Sequence, residues 1–560
     1  MGQFFLTGLC IFVAFLNFDY VFTQTETLEI SALGKLKGSF METRLGKRIY
    51  AFRGVRFGEP PVGTLRFEPP VPVKPWNGIF DASVEGPACP QPLFQLTSED
   101  CLRLNIYTTK LPNKDHLVKR PVIVFFHPGG FYSLSGQSDQ FGPEYLLDKD
   151  VLLVTVNYRI GSLGFLSAGD PKLLGNMGLK DQVIALRWIK KNIETFGGNP
   201  DCVTITGYSA GAWSVSLHLV SPMSRGLFHR AIAMSGSVTY QQKLGTNQKN
   251  LAIKQADVLN CPSDTVENIV SCLRTKSATD IANTFNAFDE WYGDPVLRWT
   301  PIVEPEVPGV ERFLTAEPID LIRQGKVAHV PFIGGVNKDE FGATAILPVE
   351  EAAKGNFTFF EQWNSDWDHI APISFQFERN TSRTNYISHE LKKAYLNGTA
   401  TLENIDGISN LYSDALISFS GHRLVNLLAA STNMPVFYYH FMFQGRYSHA
   451  TWSDGRPFGV VHHDDLMYVF YISRFPKFVT GDPEIPTVEK MTAIWENFAR
   501  TGEPIPKDNL LFKNVEWKKF TTRHNRYLEL DVEFTLKSGL INSERMAVWD
   551  RLFPLSSGNY

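Results

Sequence analysis

A serine between two glycines is the residue whose surroundings most directly suggest chemistry. The segment Gly207 to Gly211, which reads Gly-Tyr-Ser-Ala-Gly, follows an apolar run ending at Ile205 and precedes a plausible helix from Trp213 to His218. A serine on such a strand-to-helix turn exposes its Oγ at a helix N-terminus, where partial positive charge favours a developing oxyanion. The context predicts that Ser209 is a nucleophile, although the same letters also occur in ordinary glycine-rich turns.

Two further glycines could supply the hydrogen-bond donors that acyl transfer needs. Gly129 and Gly130 lie shortly after the apolar run Val122 to Phe126. Because glycine has no side chain, their backbone N–H groups can approach a substrate oxygen closely. Pro128 has no N–H, so the predicted oxyanion hole consists of Gly129, Gly130 and Ala210, the residue after the serine. The alternative is an ordinary turn at the end of a strand.

A nucleophilic serine needs a base, and the base needs an acid that fixes its tautomer. Of the thirteen histidines, His462 is favoured because it lies in a glycine-containing loop that enters an apolar stretch. The acid is predicted to be Glu340, with Asp339 as its rival, and sequence alone leaves that choice open. The run His462 to Asp465 could also be a metal cluster. Consecutive residues rarely point at one ion, however, and there is no second ligand cluster, so we expect no metal.

Short apolar and β-branched runs predict buried parallel strands that would position these residues. These runs are Val122 to Phe126, Val151 to Val156, Val203 to Ile205, Ala231 to Met234 and Val330 to Ile333. Between the second and third runs, Asp181 to Phe196 has the apolar spacing of an amphipathic helix that ends at Gly197. This order predicts an α/β fold with a large, mostly parallel central sheet and helices on both faces. Reactive loops would then lie at the carboxyl ends of the strands.

Composition and charge exclude several classes of protein. The 560 residues are 43% hydrophobic and 20% charged, which is too apolar for a disordered scaffold. With 54 basic and 58 acidic residues the net charge is −4, so we expect no nucleic-acid partner. No internal repeat or long linker divides the chain, which favours one large domain over residues 24–560.

The amino terminus has the pattern of a secretory signal. An almost unbroken apolar run extends from Phe4 to Leu16 and is followed by polar Thr23, Gln24 and Thr25. Its length is that of a signal peptide core and is shorter than a bilayer span requires. We predict a signal peptide over residues 1–23, with a membrane anchor or buried helix as the alternative. The C-terminal residues match no lipid-anchor or retention signal, so we expect a secreted, extracellular protein without a stable membrane anchor.

Cysteine and asparagine usage agrees with secretion. Cys89 with Cys101 and Cys261 with Cys272 would each close a short loop, worth about 3 kcal/mol in the loop-entropy model. Cys202 is the odd one out and is interpreted as a buried thiol. Sequons for N-glycosylation begin at Asn356, Asn380 and Asn397. Their clustering predicts a glycosylated surface region.

Further segments complete a pattern that is typical of one enzyme family. Besides Ser209, Glu340 and His462 in this order, the matching segments are Phe52 to Phe57, Leu65 to Phe67, Ser98 to Tyr107, Asn157 to Phe165, Gly175 to Gln182 and Phe196 to Pro200. Together they resemble the carboxylesterase/cholinesterase family of α/β-hydrolases over nearly the whole chain after the signal. Among its subgroups they are similar to secreted insect esterases, including venom carboxylesterase-like and, more distantly, juvenile hormone esterase-like proteins.

The resemblance implies a role for each candidate residue. Ser209 would be the nucleophile, His462 the general base and acid, and Glu340 the carboxylate that orients His462. The implied oxyanion hole is Gly129, Gly130 and Ala210, and the implied disulfides are Cys89–Cys101 and Cys261–Cys272. The family reaction is hydrolysis of a small-molecule carboxylic ester through an acyl-serine intermediate, and it implies no cofactor.

Five departures from the family pattern modify this expectation. Tyr208 stands where many members have Glu, which removes a negative charge near the site and favours a neutral ester over a cationic choline ester. Pro128 replaces a glycine, His463 replaces a small residue, and Phe341 stands where many members have glycine. Trp213 is larger than usual and is expected to pack in the core, with a narrower pocket as the alternative.

Two other functions are weighed against a general secreted carboxylesterase. A dedicated juvenile-hormone-type esterase would have Gln rather than Tyr208 before the serine. A non-catalytic cholinesterase-like binding or adhesion protein would have little reason to keep Ser209, Glu340, His462 and both oxyanion glycines. A general carboxylesterase acting on neutral esters is therefore the prediction.

Overall fold

The computed structural model describes residues 26–92, 96–113, 119–507, 510–512 and 515–555. The predicted signal peptide, residues 1–23, lies outside the described residues. The strands are β1 Thr27–Ile30, β2 Gly34–Lys37, β3 Ser39–Glu42, β4 Arg48–Arg56, β5 Ile79–Asp81, β6 Arg103–Thr108, β7 Arg120–Phe126, β8 Leu152–Val156, β9 Gly198–Tyr208, β10 Arg230–Met234, β11 Phe332–Asn337, β12 Val436–Phe441, β13 Arg526–Leu530 and β14 Phe534–Ser538.

The helices surround these strands. They are α1 Gly161–Phe165, α2 Met177–Asn192, α3 Ala210–Val220, α4 Lys249–Val258, α5 Val266–Thr275, α6 Ala278–Asn283, α7 Pro318–Arg323, α8 Ile346–Ala353, α9 Thr358–Ser365, α10 Trp367–Ser374, α11 Thr384–Leu396, α12 Ile405–Ser413, α13 Phe419–Ser431, α14 Ile485–Thr501 and α15 Ser543–Leu552. Among the described residues, no helix has the length and apolar character that crossing a bilayer requires.

Within the part of the chain that the structure describes, one central sheet has eleven strands in the order β14-β13-β12-β11-β10-β9-β7-β8-β6-β4-β3. The strands from β13 to β8 in this order pair in parallel, and the pairs at both edges are antiparallel. Strands β1, β2 and β5 form a separate small sheet. Because β7, β9 and β11 run in one direction, the loops that follow them lie at the same edge of the sheet.

Apolar cores lie on both faces of the central sheet. Val122, Val124 and Phe126 of β7 belong to one core, and Ile123 and Phe125 belong to the other. This alternation follows from the two-residue period of a strand. Helix α3 contacts β7, β9 and β10 on the first face, and α14 contacts β7 and β9 on the second. The predicted α/β fold, with a mostly parallel sheet covered on both faces, is confirmed.

Element boundaries differ from the sequence prediction in several places, including the helix predicted over Asp181 to Phe196, which the structure has as Met177–Asn192. The strand predicted over Ala231 to Met234 agrees with β10. The strand predicted over Val330 to Ile333 is β11, which begins at Phe332 and continues to Asn337. The second half of β11 begins with Gly334 and Gly335, a pair that is typical of a loop. A Cβ on Gly335 would lie 1.9 Å from the ring of Tyr439 on the neighbouring strand, so glycine here makes room for a side chain.

The cysteines and sequons are placed as follows. Disulfides join Cys89 to Cys101 and Cys261 to Cys272. Cys202 is half-buried rather than buried, and its Sγ donates to the Ala499 carbonyl oxygen at 3.2 Å. The sequon asparagines are exposed, namely Asn356, Asn380 and Asn397. Exposure is what glycosylation requires, and glycosylation itself stays a prediction.

Candidate active site

The candidate serine lies on a tight turn between β9 and α3. Ser209 has φ 54° and ψ −117°, a conformation that L-residues rarely adopt. A Cβ on Gly211 would lie 2.0 Å from the Phe126 carbonyl oxygen, and one on Gly207 would lie 2.3 Å from the Gly211 carbonyl carbon. Gly211 is therefore required for the close approach of α3 to β7, and Gly207 for the close approach of α3 to β9. The turn is fixed at its start by a hydrogen bond from the Ser209 N–H to the Met234 carbonyl oxygen, 2.9 Å long.

The structure places His462 against Glu340. Nδ1 of His462 lies 2.6 Å from Oε2 of Glu340, and Glu340 is only 1% exposed. The backbone N–H of His462 also donates to the Glu340 carbonyl oxygen at 2.9 Å. Since a carboxylate only accepts hydrogen bonds, this contact puts the proton on Nδ1 and leaves Nε2 as the free acceptor.

Asp339, the rival to Glu340, faces the same loop but not the imidazole. Its Oδ2 accepts the backbone N–H of Val460 at 2.8 Å, and burial raises the pKa of this carboxyl group above its usual value. Glu340 Oε1 instead accepts from Ser235 Oγ at 2.7 Å and from the Asn337 N–H at 2.6 Å. The two oxygens of Glu340 are thus divided between holding the carboxylate in place and holding His462.

Ser209 and His462 line one cavity of about 600 Å³. Ser209 is half-buried, and Nε2 of His462 is buried without a hydrogen-bond partner among the described residues. In enzymes without substrate the hydrogen bond between nucleophile and base is often long and shortens only in the substrate complex. The lone pair of His462 Nε2 is therefore without a partner among the described residues, in the wall of the cavity that Ser209 also lines.

Gly129, Gly130 and Ala210 lie in the same cavity wall. Gly129 and Gly130 have φ 107° and 58°, which glycine adopts easily. Ala210 is the first residue of α3, where backbone N–H groups have no partner within the helix. Within the described residues, no hydrogen bond from these three N–H groups to another protein atom is present. The structure therefore brings three unused donors to the edge of the cavity that holds Ser209.

Most of the cavity wall is apolar, and several of its residues carry no sequence signal. Apolar side chains in the wall include Phe141, Trp213, Leu297, Phe341, Leu416 and Leu466. Trp213 was expected to pack in the core; it is buried and also lines the cavity, so it narrows the pocket as well. Leu297 belongs to a loop rich in aromatic residues, and Leu416 to the π-helical segment Asp414–Ser418 that joins α12 to α13. Both positions depend on long-range packing, which no local pattern encodes.

The run His462 to Asp465 does not converge on one point. Asp464 accepts hydrogen bonds from Ser448 Oγ at 2.7 Å and His449 Nδ1 at 3.0 Å, whereas Asp465 accepts from Tyr439 at 3.0 Å. Among the described residues, no group of three or more His, Cys, Asp or Glu side chains has the arrangement of a metal site. The two aspartates hold the loop that carries His462.

A model of the carboxylesterase family matches residues 24–549. The chain belongs to this family. Juvenile hormone esterase of Tribolium castaneum is 33% identical over 528 residues, which cover 89% of this chain and 87% of that relative. Esterase FE4 of Myzus persicae is 36% identical over 487 residues, which cover 84% of each chain.

A solved structure shows the same fold. The crystal structure of juvenile hormone esterase from Manduca sexta, with OTFP covalently attached, matches with a TM-score of 0.82 and 28% identity, covering 95% of this chain and 100% of that one. The fold of this carboxylesterase-family chain is therefore the α/β-hydrolase fold. Family and relatives together support a carboxylic ester hydrolase.

Proposed function

We propose that this chain is a secreted serine esterase that hydrolyses neutral carboxylic esters through an acyl-serine intermediate. The observation that carries the proposal is the contact of Glu340 with His462 in the wall of the cavity that Ser209 also lines. A serine, an imidazole with a free Nε2 and a buried carboxylate are the three groups that nucleophilic acyl transfer uses.

In the first step, Ser209 Oγ attacks the ester carbonyl carbon while His462 Nε2 takes the serine proton. Glu340 stabilises the imidazolium, and the N–H groups of Gly129, Gly130 and Ala210 donate to the oxyanion. His462 then gives its proton to the alkoxide, and the carbon–oxygen bond to the alcohol breaks. Water attacks the acyl-serine with His462 again as base, which releases the carboxylic acid and restores the serine hydroxyl.

The charges of the cavity wall disfavour a cationic substrate, and Arg474 in the wall adds a positive charge. The two acidic residues of the wall are Asp139 and Glu340, and Glu340 is engaged with His462. Burial raises the pKa of Asp139, which makes its charged form less favourable. Tyr208, which stands where many family members have Glu, is fully buried behind the wall and offers a cation no charge. Secretion is supported by the two disulfides, which form and persist outside the cytosol.

A fluorophosphonate tests this proposal, because it labels an activated serine without requiring the natural substrate. Protein collected from the medium of expressing cells should carry one label on Ser209, found by mass spectrometry of the modified peptide. Ser209→Ala and His462→Ala should reduce ester turnover by about 10⁴-fold or more while the fold is retained. Folded wild-type protein that takes up no label would contradict the proposal and would favour a binding protein on the same fold.

A dedicated juvenile-hormone esterase is the second candidate, because a sequence relative and a structural match both bear that name. A series of esters separates the two. Comparable kcat/KM for short and long neutral esters would support the general esterase. A kcat/KM for juvenile hormone about 100-fold above that for simple esters would support the dedicated one.

A further inference from the structure

Tyr208, the residue before the candidate nucleophile, reaches the loop that carries the candidate base. Its side chain is fully buried and is not part of the cavity wall. The phenolic oxygen accepts the backbone N–H of His463 at 2.7 Å and Nδ2 of Asn337 at 3.2 Å. Asn337 also donates to the carbonyl oxygen of Val461 at 2.8 Å. The peptide groups on both sides of His462 are thus tied to one buried cluster.

The ring of Tyr208 contacts both imidazoles. Its centroid lies 4.9 Å from that of His462 in an edge-on arrangement, and 4.9 Å from that of His463. Phe341 covers His462 from another direction, at 4.5 Å between centroids. The imidazole of His462 is therefore enclosed by rings and has little freedom to tilt without moving Tyr208.

Asp465 belongs to the same buried cluster as the Tyr208 hydroxyl. The Asn337 amide has two N–H protons for three nearby acceptors, namely the Val461 carbonyl oxygen, Asp465 and the Tyr208 hydroxyl, so the N–H of His463 is the donor that Tyr208 does not share. Asp465 is fully buried and accepts from Asn337 at 3.1 Å and Tyr439 at 3.0 Å. Burial raises the pKa of Asp465 to about 7 and the charge of Glu340 adds to this, while bonds from Asn337, Tyr439 and Tyr208 oppose it.

The loop needs such an anchor because of its length and its backbone. Between the end of β12 at Phe441 and His462 the chain makes a long excursion with no strand of its own. His463 has φ 82°, which is unfavourable for a residue with a side chain. The distance between His462 Nε2 and Ser209 Oγ depends on where this loop is held, and an error of about 1 Å in such a contact can cost about 100-fold in rate.

We propose that Tyr208 is a positioning residue that holds the His462 loop over Ser209 through its hydroxyl group. The inference rests on the proposed serine-esterase function. It gives the tyrosine in the Gly-Tyr-Ser-Ala-Gly segment a task that a carboxylate could not perform in the same way, because its neutral hydroxyl accepts the His463 N–H in a cluster that already holds buried Asp465, whereas an ionised glutamate would add a second negative charge there.

Tyr208→Phe tests the proposal, with Tyr145→Phe as the matched control. Tyr145 is also buried, and its hydroxyl also accepts a backbone N–H, that of Phe478 at 2.8 Å, in a loop without a candidate catalytic residue. Both variants lose a buried hydrogen bond from a backbone N–H, and Tyr208→Phe also loses the longer contact with Nδ2 of Asn337. The two readouts are the rate constant of Ser209 labelling by a fluorophosphonate and kcat per labelled site for a chromogenic ester.

Tyr208→Phe should lower the labelling rate constant and kcat about tenfold, with KM within about twofold of wild type. Tyr145→Phe should leave both rates within about twofold. Equal rates for Tyr208→Phe and wild type would overturn the proposal, as would an equal loss in both variants, which would indicate general loosening. Because rates are taken per labelled site, a partly misfolded sample still gives an answer. Failure of the wild type to label at all would instead contradict the proposed function.

Discussion

Two turns at the carboxyl edge of the sheet have similar backbones. Ser209 follows β9 with φ 54° and ψ −117°, and Glu340 follows β11 with φ 21° and ψ −112°. Each is followed by a helical segment and, two residues on, by a glycine. The surroundings of these glycines differ. A Cβ on Gly211 would lie 2.0 Å from a backbone oxygen of β7, whereas one on Gly342 would find its nearest neighbour at 3.3 Å, on the Phe458 ring.

The comparison shows two ways to hold an unfavourable backbone conformation. The serine turn depends on the glycines beside it in sequence, because α3 passes close to β7 and β9 and only glycine fits there. The glutamate turn is held by residues far along the chain. Oε1 of Glu340 is held by Ser235, and its backbone oxygen accepts from His462. The first turn has its main requirement in the glycines beside it in sequence, and the second depends mainly on partners far along the chain.

The largest expected difference is that between the kcat values of a Glu340 variant and an Asp339 variant. Glu340→Gln should lower kcat about 10³-fold or more, because an amide in place of Oε2 can no longer stabilise the charged imidazole of His462. Asp339→Asn is the matched control, since its oxygen can still accept the Val460 N–H, and should stay within about fivefold of wild type. Steady-state kinetics on a neutral chromogenic ester measures both. Similar losses in the two variants would remove the distinction between neighbouring carboxylates.

The next effect concerns the two glycines. Gly211→Ala should lower the free energy of unfolding by about 3 kcal/mol or prevent folding, because its Cβ meets backbone that cannot move aside. Gly342→Ala should change it by about 1 kcal/mol or less, because its Cβ meets only side chains at 3.3 Å or more. Chemical denaturation of both proteins gives the two values. A tolerated Gly211→Ala would mean that the serine turn is held by something other than close packing.

The smallest expected effect is the change in stability with pH that the titration of buried Asp465 causes. The pKa of Asp465 is raised to about 7, chiefly by burial and further by Glu340, so the folded protein binds this proton more tightly than the unfolded chain does. The contribution of Asp465 to the stability of the wild type should therefore fall as pH rises from about 4 to 7 and should be constant above. Asp465→Asn lacks the titration, so its stability relative to wild type should improve by about 2 kcal/mol between pH 5 and pH 8.

Chemical denaturation at several pH values measures how the stability difference between Asp465→Asn and wild type changes with pH. Asp201→Asn serves as the control, because Asp201 is exposed and hydrogen-bonded to Lys190, which lowers its pKa instead. The stability of Asp201→Asn relative to wild type should not improve as the pH rises. A constant difference between Asp465→Asn and wild type across this range would mean that Asp465 has no raised pKa.

Much of the site was predictable because its signals are local. The serine turn is recognised in the sequence by Gly207 and Gly211, because a Cβ on Gly207 would meet the backbone of Gly211 and one on Gly211 would meet β7. The parallel strands were predicted from apolar runs, since strands buried on both faces have no polar side. The end of β11 was misjudged because Gly334 and Gly335 mimic a loop, whereas Gly335 in fact makes room for Tyr439.

The remaining features depend on contacts that no local pattern records. Asp339 and Glu340 are adjacent and chemically alike, and only the approach of the His462 loop separates their roles. The same loop brings Tyr208 into contact with His463, across more than 250 residues of sequence. Leu297 and Leu416 join the cavity wall through the packing of distant segments.

The sequence by itself determined the fold class, the serine turn and the glycines beside it, because strand burial and close helix packing restrict the residues allowed at each position. Only the tertiary structure decided which carboxylate meets His462, which side chains shape the cavity and what Tyr208 holds. Those outcomes depend on where two long loops meet at the edge of the sheet, and side-chain distances of 3 Å across such loops are set by the packing of the whole chain.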